Sequence, residues 1–283
     1  MREPTVRVQR IRRDTVKLRL TVLGILAVLL ILCSAFSEHL TPYDPYLQDF
    51  NNAKAAPTLQ HLFGTDRYGR DMLSRVILGS RASIFSTLIL VAVITILGTG
   101  IGVLGGWYGK WVDTVLMRIS DLFLAFPGLV FAMAVAGVLG GGLQNAIIAL
   151  VAISWPKYAR IARSQTLAQK ETPYLKAARL SGSGTWKIIF KHILPNIIGP
   201  ILVTSMLDIG TMMMELAGLS FLGLGAKPPT AEWGSMMSDA RSLLSSVPWV
   251  TLAPGFAIFI SVMIFNLLGD TIRDYADPKS RGR

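Results

Sequence analysis

Two carboxylates, Asp208 and Glu215, stand in a stretch that is otherwise apolar. Seven positions make two helical turns, so in a helix both lie on one face, about 10 Å apart along the axis. Thr211 and Met212 share that stripe, and Met206, Met213 and Met214 flank it. An acid inside a membrane span costs roughly 2.5–3.5 kcal/mol by insertion scales and by default faces a cavity or a partner. Asp208, Thr211, Met212 and Glu215 therefore suggest the wall of a translocation path. Carboxylate with thioether suits a passing divalent cation, held only transiently, which makes Asp208 and Glu215 candidate metal contacts. The competing account is structural: Asp208 bonds to a neighbouring helix and the methionines fill apolar space.

Other chemistries lack their parts. His39, His61 and His192 are scattered in loops without an H-x3-H spacing, so no metal role is assigned to them. The single Cys33 excludes an intrachain disulfide and a Cys-based zinc site. No histidine falls in an apolar stretch, which removes a Ser-His pair at membrane depth. Asp208 and Glu215 are too far apart on one helix to form an aspartyl dyad. No G-x4-G-K-[ST] phosphate loop occurs; Gly182-Ser183-Gly184-Thr185 lacks its Lys-Ser/Thr ending. The chain is thus read as no enzyme, with no catalytic residue and no cofactor of its own.

The elements that hold these residues are membrane spans. Of 283 residues, 52% are hydrophobic and only 16% charged, against about 25% charged in soluble domains. Apolar runs near the 20 residues a bilayer demands occur at 20–36, 84–106, 115–139, 143–158, 197–218 and 249–268. That predicts an all-α integral membrane protein with six transmembrane helices. The formal net charge is +11, but the basic residues lie between spans. Residues 1–19, Lys110, Arg118, 157–192 and 270–283 hold 21 of the 28 Lys and Arg. By the positive-inside rule those segments, and both termini, are cytoplasmic. The charge reads as topology, and no nucleic-acid partner is implied. Gly98, Gly102 and Gly106 recur every four residues, a device for close helix approach in lipid. They pack either within the subunit or against a second chain. Pro127 and Pro156 are expected to kink or end their helices.

The segment from Lys157 to Pro195 is too long and polar for an idle connection. Pro173 can open a helix, and Ser181, Gly182 and Gly184 interrupt it before a second amphipathic run, Trp186–Ile193. Two short helices on the cytoplasmic face follow. They rest either on anionic headgroups or on another protein surface that approaches Ala177, Ala178 and Gly182.

Ala177-Ala178, three residues, Gly182, then Leu194-Pro195 resembles the coupling-loop signature of ABC importer permeases, with Lys176 at the usual Glu and His192 at the usual Ile. Two further blocks resemble the shorter permease partner of the peptide/nickel/opine group. One spans Phe63 to Arg81 and includes Gly64, Asp66, Gly69, Arg70 and Asp71; the other spans Phe221 to Arg241. The resemblance implies a type I importer permease with cytoplasmic coupling helices, in a bacterial or archaeal plasma (inner) membrane. It implies a homologous second permease subunit, two ATPase subunits that carry ATP and Mg, and an extracytoplasmic substrate-binding protein. Ala177, Ala178, Gly182, Leu194 and Pro195 would form the ATPase-coupling surface. The implied division is a basic tail (1–19), a first span (20–36), an extracytoplasmic segment (37–83), a five-helix core (84–268) with coupling loop 157–195, and a tail (269–283). The cargo expected is nickel or a metal chelate; the alternative is a dipeptide or oligopeptide. A stand-alone secondary transporter would want an internal repeat, and none is visible.

Overall fold

The computed structural model describes residues 3–276, with side chains from residue 15 onward. The tail assignments at 1–2 and 277–283 lie outside the described residues. Among the described residues every regular element is helical: α1 (Glu3–Ala35), α2 (Ser37–Leu40), α3 (Met72–Tyr108), α4 (Lys110–Leu124), α5 (Gly128–Val138), α6 (Leu143–Lys170), α7 (Pro173–Leu180), α8 (Thr185–Ile188), α9 (Leu194–Phe221), α10 (Trp233–Ala240) and α11 (Pro248–Ala276). An all-α membrane fold is what the apolar runs predict.

Helix ends differ from the apolar runs because polar residues extend the helices past the hydrocarbon. α1 already runs through residues assigned to a basic tail, and only its part from Thr15 to Ala35 is apolar. α3 begins at Met72 and not near Ile84. Asp71 caps it, accepting from the Ser74 backbone N–H at 2.8 Å and from Ser74 Oγ at 2.7 Å. The charges in its first turns are satisfied on the outer side: Arg75 donates to the Pro45 carbonyl at 3.1 Å, and Arg81 pairs with Glu38 of α2. α11 likewise continues to Ala276, past the expected end at Leu268.

The expected third span, 115–139, is not one rod. It is α4 and α5, bent by 91° around Ala125-Phe126-Pro127. Proline lacks the N–H that would continue the ladder, and it disfavours helical geometry in the residue before it. Pro156 does not end its helix. α6 passes through it and runs on to Lys170, because Trp155 and Tyr158, on either side of it, are locked in the core. Residues 157–170 are therefore the second half of α6 and not loop.

By length and composition four segments can cross a membrane, at α1, α3, Thr185–Phe221 and α11; the bent α4–α5 pair makes five. The sixth predicted span is the first half of α6, whose apolar part ends where Lys157, Arg160 and Arg163 begin.

The centre of the bundle is the α3–α6 contact. A Cβ added at Gly98 would lie 2.5 Å from Tyr158 Cβ, one at Gly102 2.8 Å from Ala162 Cβ, and one at Gly106 2.9 Å from Thr166 Cβ. The glycine stripe thus packs within the subunit and has no room for a second chain. In lipid, where apolar burial drives little, such contact gains dispersion energy that larger residues would forfeit.

Candidate functional site

One end of the bundle builds a surface from α7, α8 and the turn between them. Pro173 opens α7, where its missing N–H costs nothing. Leu175 is fully buried with Ile188, Ile189 and Ile193, and so anchors the hairpin. α7 ends in a Schellman motif: the Gly182 N–H donates to the Arg179 carbonyl at 3.0 Å and the Ser183 N–H to the Ala178 carbonyl at 3.1 Å. Gly182 sits at φ +77°, the left-handed conformation that glycine adopts without penalty. The spacing of Ala178 and Gly182 is thus explained by the helix end itself.

α8 passes into a π-turn, Ile189–Ile193, where the Leu194 N–H donates to the Ile189 carbonyl five residues back. Pro195 follows directly. A proline at this depth crowds the carbonyl four residues before it, and a wider turn relieves that crowding. The His192 carbonyl accepts from Asn196 Nδ2 at 2.5 Å and from the Tyr174 hydroxyl at 3.2 Å. The Leu-Pro pair therefore fixes how the second run joins α9, with which it is continuous.

Ala177 and Gly182 are exposed, and Ala178 is half-buried. A Cβ at Gly182 would meet nothing within 4 Å. Around them stand Leu180 (90% exposed), Trp186 (58%) and Phe190 (63%), the two rings stacked at 6.0 Å. The basic residues tie this surface back to the bundle. The Arg179 guanidinium lies 4.4 Å from the Trp107 ring centroid, and Lys170 Nζ donates to the Trp107 carbonyl at 2.6 Å. Lys176 pairs with Glu171 at 3.0 Å and holds its carboxyl below the usual range. Lys176 thus makes a local ion pair and takes no part in a carboxylate role. Arg163 pairs with Asp113, so α4 is fixed to α6 as well.

In α9, Asp208 is buried and both its oxygens are engaged. Lys157 Nζ donates at 2.6 and 2.9 Å, and the Tyr158 hydroxyl donates at 2.9 Å. This is the structural account of Asp208, and it leaves no free oxygen for a cation. Met212 is also a buried core residue in this chain. Thr211 and Met214 are exposed and Glu215 is half-buried. Glu215 makes no hydrogen bond or ion pair among the described residues. No group of three or more His, Cys, Asp or Glu able to hold a metal ion occurs there either. Lys157 and Tyr158, the last two residues of the expected span 143–158, were missed as partners because nothing local links them to α9; the acid in α9 was the only signal.

The outer motif is a buried charge network. Arg70 Nε donates to Asp66 Oδ2 at 2.6 Å, and Arg75 Nε lies 3.8 Å from the same oxygen. His61 Nδ1 is 2.9 Å from Asp71 Oδ1. Gly64 is packed so tightly that a Cβ would lie 2.6 Å from Trp249 Nε1, and a Cβ at Gly69 would strike the Asp49 backbone. Glu232 caps α10 through the Gly234 and Ser235 N–H groups at 2.9 and 2.8 Å, and Trp233 Nε1 donates to the Val76 carbonyl at 2.9 Å. These residues clamp the outer segments onto α3.

A helical bundle with four helices long and apolar enough to cross a membrane, and a fifth segment in the bent α4–α5 pair, is the frame of a membrane-embedded protein. Residues 98–282 match the family described as "Binding-protein-dependent transport system inner membrane component", and the chain belongs to that family. It is a transport permease and not an enzyme; ATP hydrolysis lies in separate subunits. The chain is 40% identical over 266 residues to the dipeptide transport system permease protein DppC of Alkalihalophilus pseudofirmus, a match covering 94% of this chain and 88% of that one. It is 41% identical over 258 residues to the glutathione transport system permease protein GsiD of Pectobacterium atrosepticum, covering 90% and 85%. In fold it is similar to a chain of the inward-facing MetNI methionine ABC transporter, with TM-score 0.58 and 18% identity over 73% of this chain and 98% of that one.

Proposed function

We propose that this chain is one of two homologous permease subunits of an ATP-driven importer whose cargo is a short peptide. The observation that carries the reading is the exposed apolar surface of Leu180, Trp186 and Phe190 beside the open Gly182 turn. A chain without a phosphate loop needs an ATPase, and this surface has the small residues and uncovered rings that a protein cleft can take. In this reading two ATPase subunits bind ATP and Mg, and an extracytoplasmic binding protein delivers cargo to the outer clamp. The chain crosses the inner membrane six times, with α6 and the α4–α5 pair each one span and both termini cytoplasmic. The excess of Lys and Arg in 1–19 and 157–192 supports that orientation.

Peptide replaces nickel as the favoured cargo. The relatives' names speak for dipeptide and glutathione, and the engagement of Asp208 by Lys157 and Tyr158 gives the metal reading no support. The test is to express the complete transport system in a host lacking its own nickel and dipeptide importers. Rescue of an amino-acid auxotroph by dipeptides, without rise in cell-associated nickel, is the expected result. Nickel accumulation without rescue would reverse the assignment.

A further inference from the structure

We infer that Glu215 is the position in the translocation wall that takes up the cationic group of a passing peptide; this rests on the reading of the chain as a peptide-importer permease. The two acids of α9 have different fates. The charge of Asp208 is matched by Lys157, and the Tyr158 hydroxyl adds a further donor. Glu215, two turns nearer the outer end, makes no hydrogen bond or close ion pair among the described residues, feels Lys157 only at longer range, and is half-buried. The three groups together, one ammonium and two carboxylates, leave one negative charge, and Glu215 carries it.

A carboxylate facing hydrocarbon is strongly disfavoured. The face that carries Glu215 also carries the exposed Thr211, and the Lys157 side chain is 54% exposed. In the proposed two-permease assembly this strip is the wall of a water-filled path. A peptide moving along it brings an ammonium at its N-terminus, and a second cation when its side chain is basic. An unmatched carboxylate at intermediate burial attracts either one while holding it weakly enough for release. A fully paired acid such as Asp208 offers nothing to a passing cation.

The test uses the complete complex in proteoliposomes with saturating cargo-loaded binding protein and internal ATP. Uptake of Lys-Ala and Glu-Ala is compared for wild type, Glu215→Gln and Glu215→Asp. Because the binding protein is a separate, unaltered chain and is saturated, the Lys-Ala to Glu-Ala rate ratio reports the permease. The ratio is expected to fall about fivefold in Glu215→Gln, the size of one half-exposed ion pair, and by less than half that in Glu215→Asp, which keeps the charge. A ratio unchanged in Glu215→Gln would overturn the inference, even if overall uptake fell, since a merely structural role lowers both peptides alike. If Glu215→Gln fails to assemble, Glu215→Ala and Glu215→Met, which also remove the charge, are read in its place, and an unchanged ratio in whichever assembles overturns it. Wild-type complex that carries no dipeptide at all would overturn the cargo reading and this inference with it, and is distinguishable from a wild type that carries both peptides without regard to Glu215.

Discussion

Asp208 shows how a membrane helix keeps an acid: one carboxylate takes two donors from Lys157 and one from Tyr158. Removing one partner of a fully buried pair costs about 3–5 kcal/mol. Lys157 is half exposed, so Asp208→Asn is expected to cost less, about 2 kcal/mol, and Tyr158→Phe about 1 kcal/mol. Thermal unfolding of the solubilised complex checks both. The double change Asp208→Asn with Lys157→Gln should recover part of the loss. At the outer face both arginines around Asp66 are buried, and Asp66→Asn should cost nearer 3 kcal/mol. Protease added from the extracytoplasmic side would then cleave the 37–71 segment faster than in wild type. The sequence singled out Asp208 because a charge in an apolar run stands out, and Asp66 and Arg70 through the resemblance of their block to the shorter permease partner. It did not reveal that Lys157 answers Asp208, since 51 positions separate them and no local period links them.

At the scale of elements, α3 and α6 are set by small residues. Gly102→Val is expected to abolish accumulation of the complex, because its Cβ would overlap the Ala159 carbonyl and press on Ala162 Cβ. Gly100→Ala, where nothing lies within 4 Å, should accumulate normally or better, by about 1 kcal/mol of helix propensity. Membrane yields of the two variants, compared by immunoblot, give the check. The four-residue glycine spacing was legible and pointed to a close contact, and the structure decided between a contact inside the subunit and one outside. Span positions were legible from apolar runs, but their ends were not. Capping by Asp71 and polar continuation of α1, α6 and α11 leave no hydropathy signal. The two prolines had opposite outcomes for a tertiary reason: Trp155 and Tyr158 bury around Pro156, whereas Phe126, beside Pro127, is exposed.

At the scale of the whole molecule, the bundle joins a charge-clamped segment at one end, a polar face on α9 and the α7–α8 surface at the other end. Arg179 on Trp107 and Lys170 on its carbonyl link that surface to the end of α3. In the proposed importer these contacts would carry a push on α7 to the α3–α6 core. Gly182→Trp should leave the assembly inserted while uptake falls to background. Gly182→Asn, which tolerates the left-handed backbone, should retain most uptake. The pair separates loss of fit from loss of the turn, and transport assays on membranes with matched permease content read the difference. The spacing around Gly182 was legible because helix-ending chemistry and surface exposure both fall on that residue.

The most direct test of the account is dipeptide uptake into proteoliposomes holding either the complete assembly with binding protein and internal ATP, or this chain alone. The account predicts uptake by the assembly that stops when ATP is replaced by a non-hydrolysable analogue and persists with a protonophore, and none by the chain alone. Uptake by the chain alone, or uptake abolished by the protonophore while ATP is maintained, would contradict it.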